Sequence, residues 1–295
     1  MTNKNSKFSV GIPESCPYFQ PTELYRDLIK AIESERWFSG YIVGPTGVGK
    51  TLPVLQACLA TDRICTRIQI HESMEPYDLF GGHRLFEGNT VFHEGPFVQA
   101  WRSGHIILLD EIDFANPKIT ASLHGAMEGT SLRIPETDEI VPRHPLCQVF
   151  MTANTKGTGN TGDYYGTQHL NSAFRGRAMG VWDVSWMPEK AETTALIKYA
   201  KSIGINESGF EKIASDLVVW AGVTRVAAEN NMTTPAIHTR CLTHIVTLYA
   251  IYGDIEKALN LGLGMNDSST REGLIKAYRD AISLGNAKAQ PASVA

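Results

Sequence analysis

The stretch "YIVGPTGVGKTLPVL" (41–55) constrains the fold more than any other part of the chain. An apolar run ends at Gly44, and a run with helical character begins near Thr51. Between them, "GPTGVGKT" matches the spacing G-x-x-x-x-G-K-[ST] completely. Glycines in this pattern let successive backbone N–H groups point at one anion, and the N-terminus of the following helix favours negative charge. The stretch therefore predicts a phosphate-binding loop that joins a strand to a helix.

Five short apolar runs predict the strands of one sheet. Segments with helical periodicity separate them, which is typical of a parallel sheet covered by helices on both faces. The runs are "GYIVG" (40–44), "ICTRIQI" (64–70), "HIILLD" (105–110), "CQVFMTAN" (147–154) and "GVWDVSW" (180–186). From Pro188 onward the pattern is helical. We therefore expect an α/β fold with a parallel five-stranded sheet, followed by a small all-α lid domain.

The same change of pattern divides the chain into four predicted segments. We expect an irregular N-terminal arm over 1–20, an α/β nucleotide-binding core over 21–187, a helical lid over 188–285 and a disordered tail over 286–295. The core should begin with an amphipathic helix in "PTELYRDLIKAIESE", because Thr22 is a residue type that caps helix N-termini.

Two stretches of the predicted core do not fit a simple alternation of strands and helices. In "HRLFEGNTVFHEG" (83–95), two apolar arms flank the turn-forming residues 87–89. In "SLRIPETDEIVPR" (131–143), two arms flank Pro135–Asp138 in the same way. Both stretches predict β-hairpins inserted into the core.

The glycine loop also identifies the residues expected to bind ATP and Mg²⁺. Lys50 should reach the β- and γ-phosphates, and the Thr51 hydroxyl should ligate the metal ion. The loop residues expected to contact the nucleotide are Pro45, Thr46, Gly47, Val48, Gly49, Lys50 and Thr51.

Polar residues at the ends of two further strands should complete this site. Asp110 ends the buried run "IILLD" and can bind Mg²⁺, while Glu111 can polarise the attacking water. When an acidic base follows the Asp, an extra strand lies between the loop strand and the Asp strand. Asn154 at the end of that strand can contact phosphate and water together. Because Glu111 lies in the same chain, we expect the chain to hydrolyse its own nucleotide.

Three arginines are candidates for contacts with the γ-phosphate. Arg175 and Arg177 precede the fifth strand, where either side chain can reach the nucleotide of a neighbouring subunit. Arg240 lies near the start of a helix in the predicted lid and can couple the lid to the nucleotide state.

Composition limits the remaining functions. The net charge of −4 gives no basic excess for tight binding of nucleic acid. The five cysteines lack any C-x-x-C spacing, and the nine histidines lack paired-ligand spacing, so neither disulfides nor a metal other than Mg²⁺ is expected. No signal peptide or membrane span is recognisable, which favours a cytoplasmic protein.

Taken together and in this order, the motifs resemble those of AAA+ ATPases, which are P-loop NTPases. The segment "YDLFGGHRLFEGNTVFHEGPFVQAWRSGHIILLDEID" and the hairpin "SLRIPETDEIVPRHP" are similar to the two inserts of the MoxR-type branch. The stretch "FMTANTKGTGNTGDYYGTQHLNSAF" resembles the group that contains the ATPase subunit of aerobic cobaltochelatase and its phage-encoded relatives. The resemblance covers about residues 20–250.

The resemblance implies roles for residues at matching positions. Lys50, Thr51, Asp110, Glu111 and Asn154 match the family pattern, and Arg240 aligns with the arginine of its lid. Arg177 aligns with the arginine that acts in trans, but Gly176 stands where an Asp usually precedes it, so Arg175 stays an alternative. The family implies a hexameric ring and a protein client with a von Willebrand A-type domain, in a chaperone-like or metal-inserting motor.

Two other functions remain open at this point. A nucleic-acid-linked motor would fit a related branch, although the acidic balance of the chain counts against it. A nucleotide-gated scaffold with little turnover is the second alternative, and the presence of Glu111 and Asn154 argues against it.

Overall fold

The computed structural model describes residues 8–157, 159, 167–230 and 235–289. The chain divides into two compact units. One unit comprises Met1–Ser15 and Pro21–Ser185, and the other comprises Cys16–Gln20 and Trp186–Ala295.

The described residues form ten strands and eleven α-helices. The strands are β1 (Phe8–Gly11), β2 (Ser39–Val43), β3 (Cys65–Gln69), β4 (Gly81–Phe86), β5 (Asn89–Glu94), β6 (Ile106–Asp110), β7 (Ser131–Arg133), β8 (Ile140–Pro142), β9 (Gln148–Ala153) and β10 (Gly180–Asp183). The helices are α1 (Glu23–Glu33), α2 (Thr51–Ala60), α3 (Pro76–Phe80), α4 (Pro96–Ser103), α5 (Pro117–Met127), α6 (Ser172–Arg175), α7 (Glu189–Ser202), α8 (Phe210–Glu229), α9 (Thr239–Tyr252), α10 (Ile255–Gly262) and α11 (Ser268–Ala289).

The first unit is built on a sheet with the strand order β1-β3-β6-β9-β2-β10. All five predicted strands are present, and they pair in parallel. Every residue of β2, β6 and β9 is buried, which explains why these strands are continuous apolar runs rather than alternating ones. The prediction of an α/β fold with a parallel-dominated sheet and a following helical region is confirmed.

A sixth strand, β1, corrects the prediction of an irregular arm over 1–20. Residues Phe8–Gly11 pair antiparallel with β3, with Val10 opposite Thr66. Without β1, the backbone groups along one edge of β3 would have no partner in the sheet. The next part of the arm is also held, because the side-chain amide of Gln56 donates to the Glu14 carbonyl at 2.9 Å. Pairing with an existing edge explains why so short a strand forms in a polar segment.

Both predicted hairpins are confirmed. Strands β4 and β5 join through Glu87 and Gly88, whose φ angles of 49° and 81° suit the tight turn of a two-residue hairpin. Strands β7 and β8 form the second hairpin, with Leu132 and Val141 buried. The apolar side chain of Leu85 near the tip of the first hairpin is 78% exposed.

Helix α1 shows how the sequence positions the elements around the sheet. The Thr22 side chain accepts a hydrogen bond from the Tyr25 N–H at 3.2 Å, as predicted for the cap. The apolar stripe of Leu24, Leu28 and Ile32 is buried in the core on one face of the sheet. Such an amphipathic stripe fixes the orientation of a surface helix.

The second unit consists of helices around its own apolar core. Within it, Arg225 and Glu192 form a buried bidentate ion pair at 2.7 and 2.8 Å. Helix α11 continues to Ala289, so residues 286–289 are helical and the predicted disordered tail is wrong for them. Residues 290–295 of that predicted tail lie outside the described residues.

Candidate nucleotide-binding site

The sheet order brings the predicted site residues to one edge. Strand β9 lies between β2 and β6, as expected for a sheet with an extra strand between the loop strand and the Asp strand. The glycine loop follows β2, Asp110 ends β6 and Asn154 follows β9. Since carboxyl ends of neighbouring parallel strands meet at one edge, residues distant in sequence become neighbours there.

Three positions of the glycine loop have backbone conformations or contacts that favour glycine. Gly47 and Gly49 have φ angles of 75° and 92°, in the region that disfavours residues with a Cβ. A Cβ on Gly44 would lie 2.2 Å from the carbonyl oxygen of Val184. Helix α2 begins at Thr51, directly after the loop. This loop can receive a phosphate with its backbone N–H groups at the start of α2.

Lys50 links the loop to the end of β9. Its ammonium group donates to the carbonyl oxygens of Gly44 and Pro45 at 2.7 and 2.9 Å, and to Oδ1 of Asn154 at 2.9 Å. The Thr46 hydroxyl donates to the same Asn154 oxygen at 3.2 Å. The Lys50 residue is only 9% exposed. The structure therefore brings together the predicted phosphate-binding lysine and the predicted polar residue of β9.

Asp110 is a buried carboxylate surrounded by donors. Its Oδ1 accepts from the Thr51 hydroxyl at 2.9 Å and from the Thr152 hydroxyl. Its Oδ2 accepts from Nε of Arg67 at 2.8 Å, and Nη2 of Arg67 contacts the same oxygen. A carboxylate beside a threonine hydroxyl is an oxygen donor set of the kind that Mg²⁺ prefers. The residues present therefore fit the metal ion that the loop motif implies.

Glu111 adopts a left-handed backbone conformation, with φ of 61° and ψ of 46°. Such a conformation costs a non-glycine residue on the order of 1–3 kcal/mol, and it is found preferentially at functional sites. The Glu111 N–H donates to the Thr152 hydroxyl at 3.1 Å. The side-chain amide of Gln69 donates to the Glu111 carboxylate at 2.6 Å. The predicted base is thus held by side chains from both neighbouring strands.

Asp113 supports the site but was not predicted from the sequence. It is fully buried, and its Oδ2 accepts from the N–H groups of Asn154 and Thr155 at 2.9 and 3.1 Å. Burial raises the pKa of the Asp113 carboxyl above its usual value, and the two N–H donors act in the opposite direction. Through these contacts the segment after β6 fixes the backbone of Asn154. The available signal was the third acidic residue of "DEID".

Arg67 and Gln69 were also missed. Both lie within the run "ICTRIQI", which the sequence shows only as a strand. Their spacing of two residues places both on one face of β3. That pattern of two long polar side chains in an apolar strand next to the Asp strand was the available signal.

The two candidate trans-acting arginines contact their own chain. Nε and Nη2 of Arg177 donate to one oxygen of Glu128 at 3.1 and 2.9 Å. Nη1 of Arg175 donates to the Lys156 carbonyl at 3.1 Å, in the loop that follows Asn154. The assignment of either arginine to a neighbouring subunit stays a prediction.

Arg240 is the second residue of α9, in the helical unit. The preceding residue, Thr239, donates through its hydroxyl to the buried Glu192 at 2.6 Å. This contact ties the first turn of α9 to α7, and the proposed contact of Arg240 with phosphate stays a prediction.

All five cysteines are free thiols. No group of three or more His, Cys, Asp or Glu residues that could hold a metal ion is found in the described part of the chain. In the same part, no helix has the length and apolar character needed to cross a bilayer.

The sequence is similar to those of several known proteins. Residues 41–178 match the family model of the AAA domain, dynein-related subfamily. The chain is 26% identical to the aerobic cobaltochelatase subunit CobS of Sinorhizobium sp over 226 residues, which are 75% of this chain and 68% of the relative.

Two further relatives are similar over shorter stretches. Midasin of Dictyostelium discoideum is 35% identical over 136 residues, 45% of this chain and 2% of midasin. Protein NorQ of Paracoccus denitrificans is 37% identical over 81 residues, 28% of this chain and 30% of that protein. Together with the loop and the strand order, the AAA-domain match over residues 41–178 and the similarity to these relatives support a MoxR-like AAA+ ATPase related to the cobaltochelatase subunit.

Proposed function

We propose that this AAA+ ATPase hydrolyses ATP with Mg²⁺ in a ring of identical subunits, and that the ring remodels a partner protein. The observation that carries the proposal is the convergence of Lys50 and Asn154, and of Thr51 and Asp110, at one edge of the sheet. These two pairs join the loop after β2 to the ends of β9 and β6, so a nucleotide in the loop contacts residues from three strands.

Each residue at the edge has a distinct part in hydrolysis. Lys50 and the loop N–H groups bind the β- and γ-phosphates, for which Lys50 exchanges its present carbonyl partners. Thr51 and Asp110 hold Mg²⁺, which offsets phosphate charge when bound. Glu111 accepts a proton from the attacking water, and the half-buried Asn154 orients that water against the γ-phosphate.

A ring is proposed because the two candidate arginines donate to Glu128 and to the Lys156 carbonyl of their own chain, and so leave the γ-phosphate position to an arginine of a neighbouring subunit. Arg177 is 28% exposed and forms an ion pair with the exposed Glu128. Breaking an ion pair of this kind costs little free energy, so Arg177 can take another partner. In a ring, Arg177 reaches the γ-phosphate of the next subunit, with Arg175 as the alternative. Arg240 of the helical unit contacts phosphate in cis. A hexamer is the ring size that the family resemblance supports.

The client is proposed to be a protein. The first hairpin presents Leu85 and Phe86, which are exposed apolar side chains. Exposed apolar residues of this kind are suited to contacts with other proteins. The similarity to a cobaltochelatase subunit makes metal insertion one form of the proposal, with a partner that carries a von Willebrand A-type domain.

The test uses Glu111→Gln, which removes the base but leaves the donors around Asp110 in place. We expect turnover to fall by about 10²–10⁴-fold while ATP binding is kept. Light scattering with ATP and Mg²⁺ should detect an assembly that this variant keeps longer than the wild type. Glu136→Gln, a change in the exposed turn of the second hairpin, is the matched control.

Three results would contradict separate parts of the proposal. Rapid hydrolysis by Glu111→Gln would exclude Glu111 as the base. A monomer in the presence of ATP and Mg²⁺ would exclude the ring. If the trapped assembly retains a nucleic acid rather than a protein when isolated from cells, the motor acts on nucleic acid instead.

A further inference from the structure

Strand β3 provides one donor side chain for each of the two acidic residues that follow one another at the end of β6. In the parallel register, Arg67 lies opposite Leu108 and Gln69 lies opposite Asp110. Residues two apart share a face of a strand, so the two long polar side chains of β3 lie on the face of Asp110. Gln69 donates to Glu111, and Arg67 donates to Asp110.

The acceptor capacity of Asp110 is filled by these contacts. A carboxylate offers about four lone-pair directions to donors. Oδ1 of Asp110 accepts from Thr51 and Thr152, and Oδ2 accepts from two nitrogens of Arg67. In this arrangement, no lone pair of Asp110 remains for a metal ion or for a water bound to it.

The four donors to the Asp110 carboxylate differ in how easily a metal ion can displace them. The hydroxyl of Thr51 belongs to the proposed metal site, and Thr152 is buried and also holds the Glu111 N–H. The side chain of Arg67 is 38% exposed, whereas that of Asp110 is 5% exposed. A guanidinium can therefore turn into water, while the carboxylate has no comparable alternative.

We propose that Arg67 competes with Mg²⁺ for Oδ2 of Asp110 and so sets the metal concentration at which the nucleotide site is filled. The proposal rests on the proposed metal site at Thr51 and Asp110. A permanently charged guanidinium next to the site opposes a divalent cation, and its two donors occupy the oxygen that the cation or its water needs. Metal binding therefore requires Arg67 to move away from Asp110.

Binding of Mn²⁺ in the presence of a non-hydrolysable ATP analogue tests this competition, because electron paramagnetic resonance counts free Mn²⁺ without any turnover. Arg67→Gln should lower the Mn²⁺ concentration for half-saturation by roughly three- to tenfold, since one positive charge leaves the site. Arg67→Lys keeps the charge but not the two-donor fork, so a decrease of about two- to threefold is expected. Arg133→Gln removes an arginine from an exposed ion pair with Asp138 and should match the wild type.

Two results for Arg67→Gln would contradict the competition between Arg67 and the metal ion. Unchanged half-saturation in Arg67→Gln would overturn the competition. Weaker Mn²⁺ binding would also overturn it, because Arg67 would then hold Asp110 in place for the metal. If Arg67→Gln does not fold, as judged by circular dichroism, the shift in Arg67→Lys decides. Failure of the proposed metal site looks different: the wild type itself, like Thr51→Ala, would bind no more Mn²⁺ than the analogue binds without protein.

Discussion

The loop edge of the sheet and the segment around α6 differ in how their charged residues are held. At the loop edge, Lys50 and Asp110 are both buried. Lys50 donates to Asn154, and Asp110 accepts from Thr51, so each is hydrogen-bonded to another residue of the site. Around α6, Arg177 is bound through an exposed ion pair, and the Arg175 guanidinium donates to an exposed backbone carbonyl. Buried networks hold one geometry, whereas exposed pairs contribute little and exchange readily. The first region is thus preorganised within one chain, and the second is free to change partners.

The substitution with the largest expected effect lies in the preorganised region. Lys50→Ala removes the ammonium that joins the loop to Asn154, together with the charge opposite the phosphates. We expect turnover to be lost and nucleotide affinity to fall by at least about 100-fold, because charge-assisted contacts to phosphate are among the strong ones. Titration with a fluorescent ATP analogue measures it. Lys118→Ala, which removes an exposed lysine paired with Glu75, is the control. Tight binding by Lys50→Ala would contradict the assignment of the loop.

Much of this preorganised region could be predicted from the sequence because its signals are local. The glycine spacing and the buried apolar runs each fix an element without reference to distant residues. Asp110 and Asn154 follow from their places at the ends of such runs. The order of strands then brings them together, and that order is a property of the fold class.

The parts that could not be predicted depend on pairing over long distances. Arg67 meets Asp110 only because β3 and β6 are neighbours, 43 residues apart along the chain. Asp113 accepts the N–H groups of Asn154 and Thr155, 41 and 42 residues away. Strand β1 exists because β3 offers it an edge. In each case the sequence shows the residue but not the partner that gives it a role.

The second prediction concerns the region that can change partners. Arg177→Ala should leave nucleotide affinity unchanged and reduce turnover by about 10³-fold, the effect typical of an arginine that stabilises the transferred phosphoryl group. Arg175→Ala should have a much smaller effect on turnover. Steady-state hydrolysis with matched binding curves gives both quantities. The reverse order of the two variants would assign the role to Arg175.

Mixing two inactive variants distinguishes action in trans from action in cis. Arg177→Ala subunits keep Lys50, and Lys50→Ala subunits keep Arg177. In a mixed ring, a neighbour with an intact arginine completes the site of a subunit with an intact loop. Hydrolysis should therefore reappear on mixing. A mixture as inactive as its components would place Arg177 in the site of its own chain.

The smallest effect should come from Glu128→Gln, which weakens the hold on Arg177 without touching the loop edge. Glu128 is 54% exposed and Arg177 is 28% exposed, so loss of the pair should cost no more than about 1 kcal/mol of folding stability. If release of Arg177 from Glu128 precedes its contact with a neighbour, turnover should rise by about two- to fivefold, since that pair opposes release by a similar small free energy. Asp138→Asn, which weakens the exposed pair with Arg133, should leave turnover unchanged. Slower hydrolysis in Glu128→Gln would mean that Glu128 positions Arg177 for catalysis, and the α6 segment would then be preorganised like the loop edge.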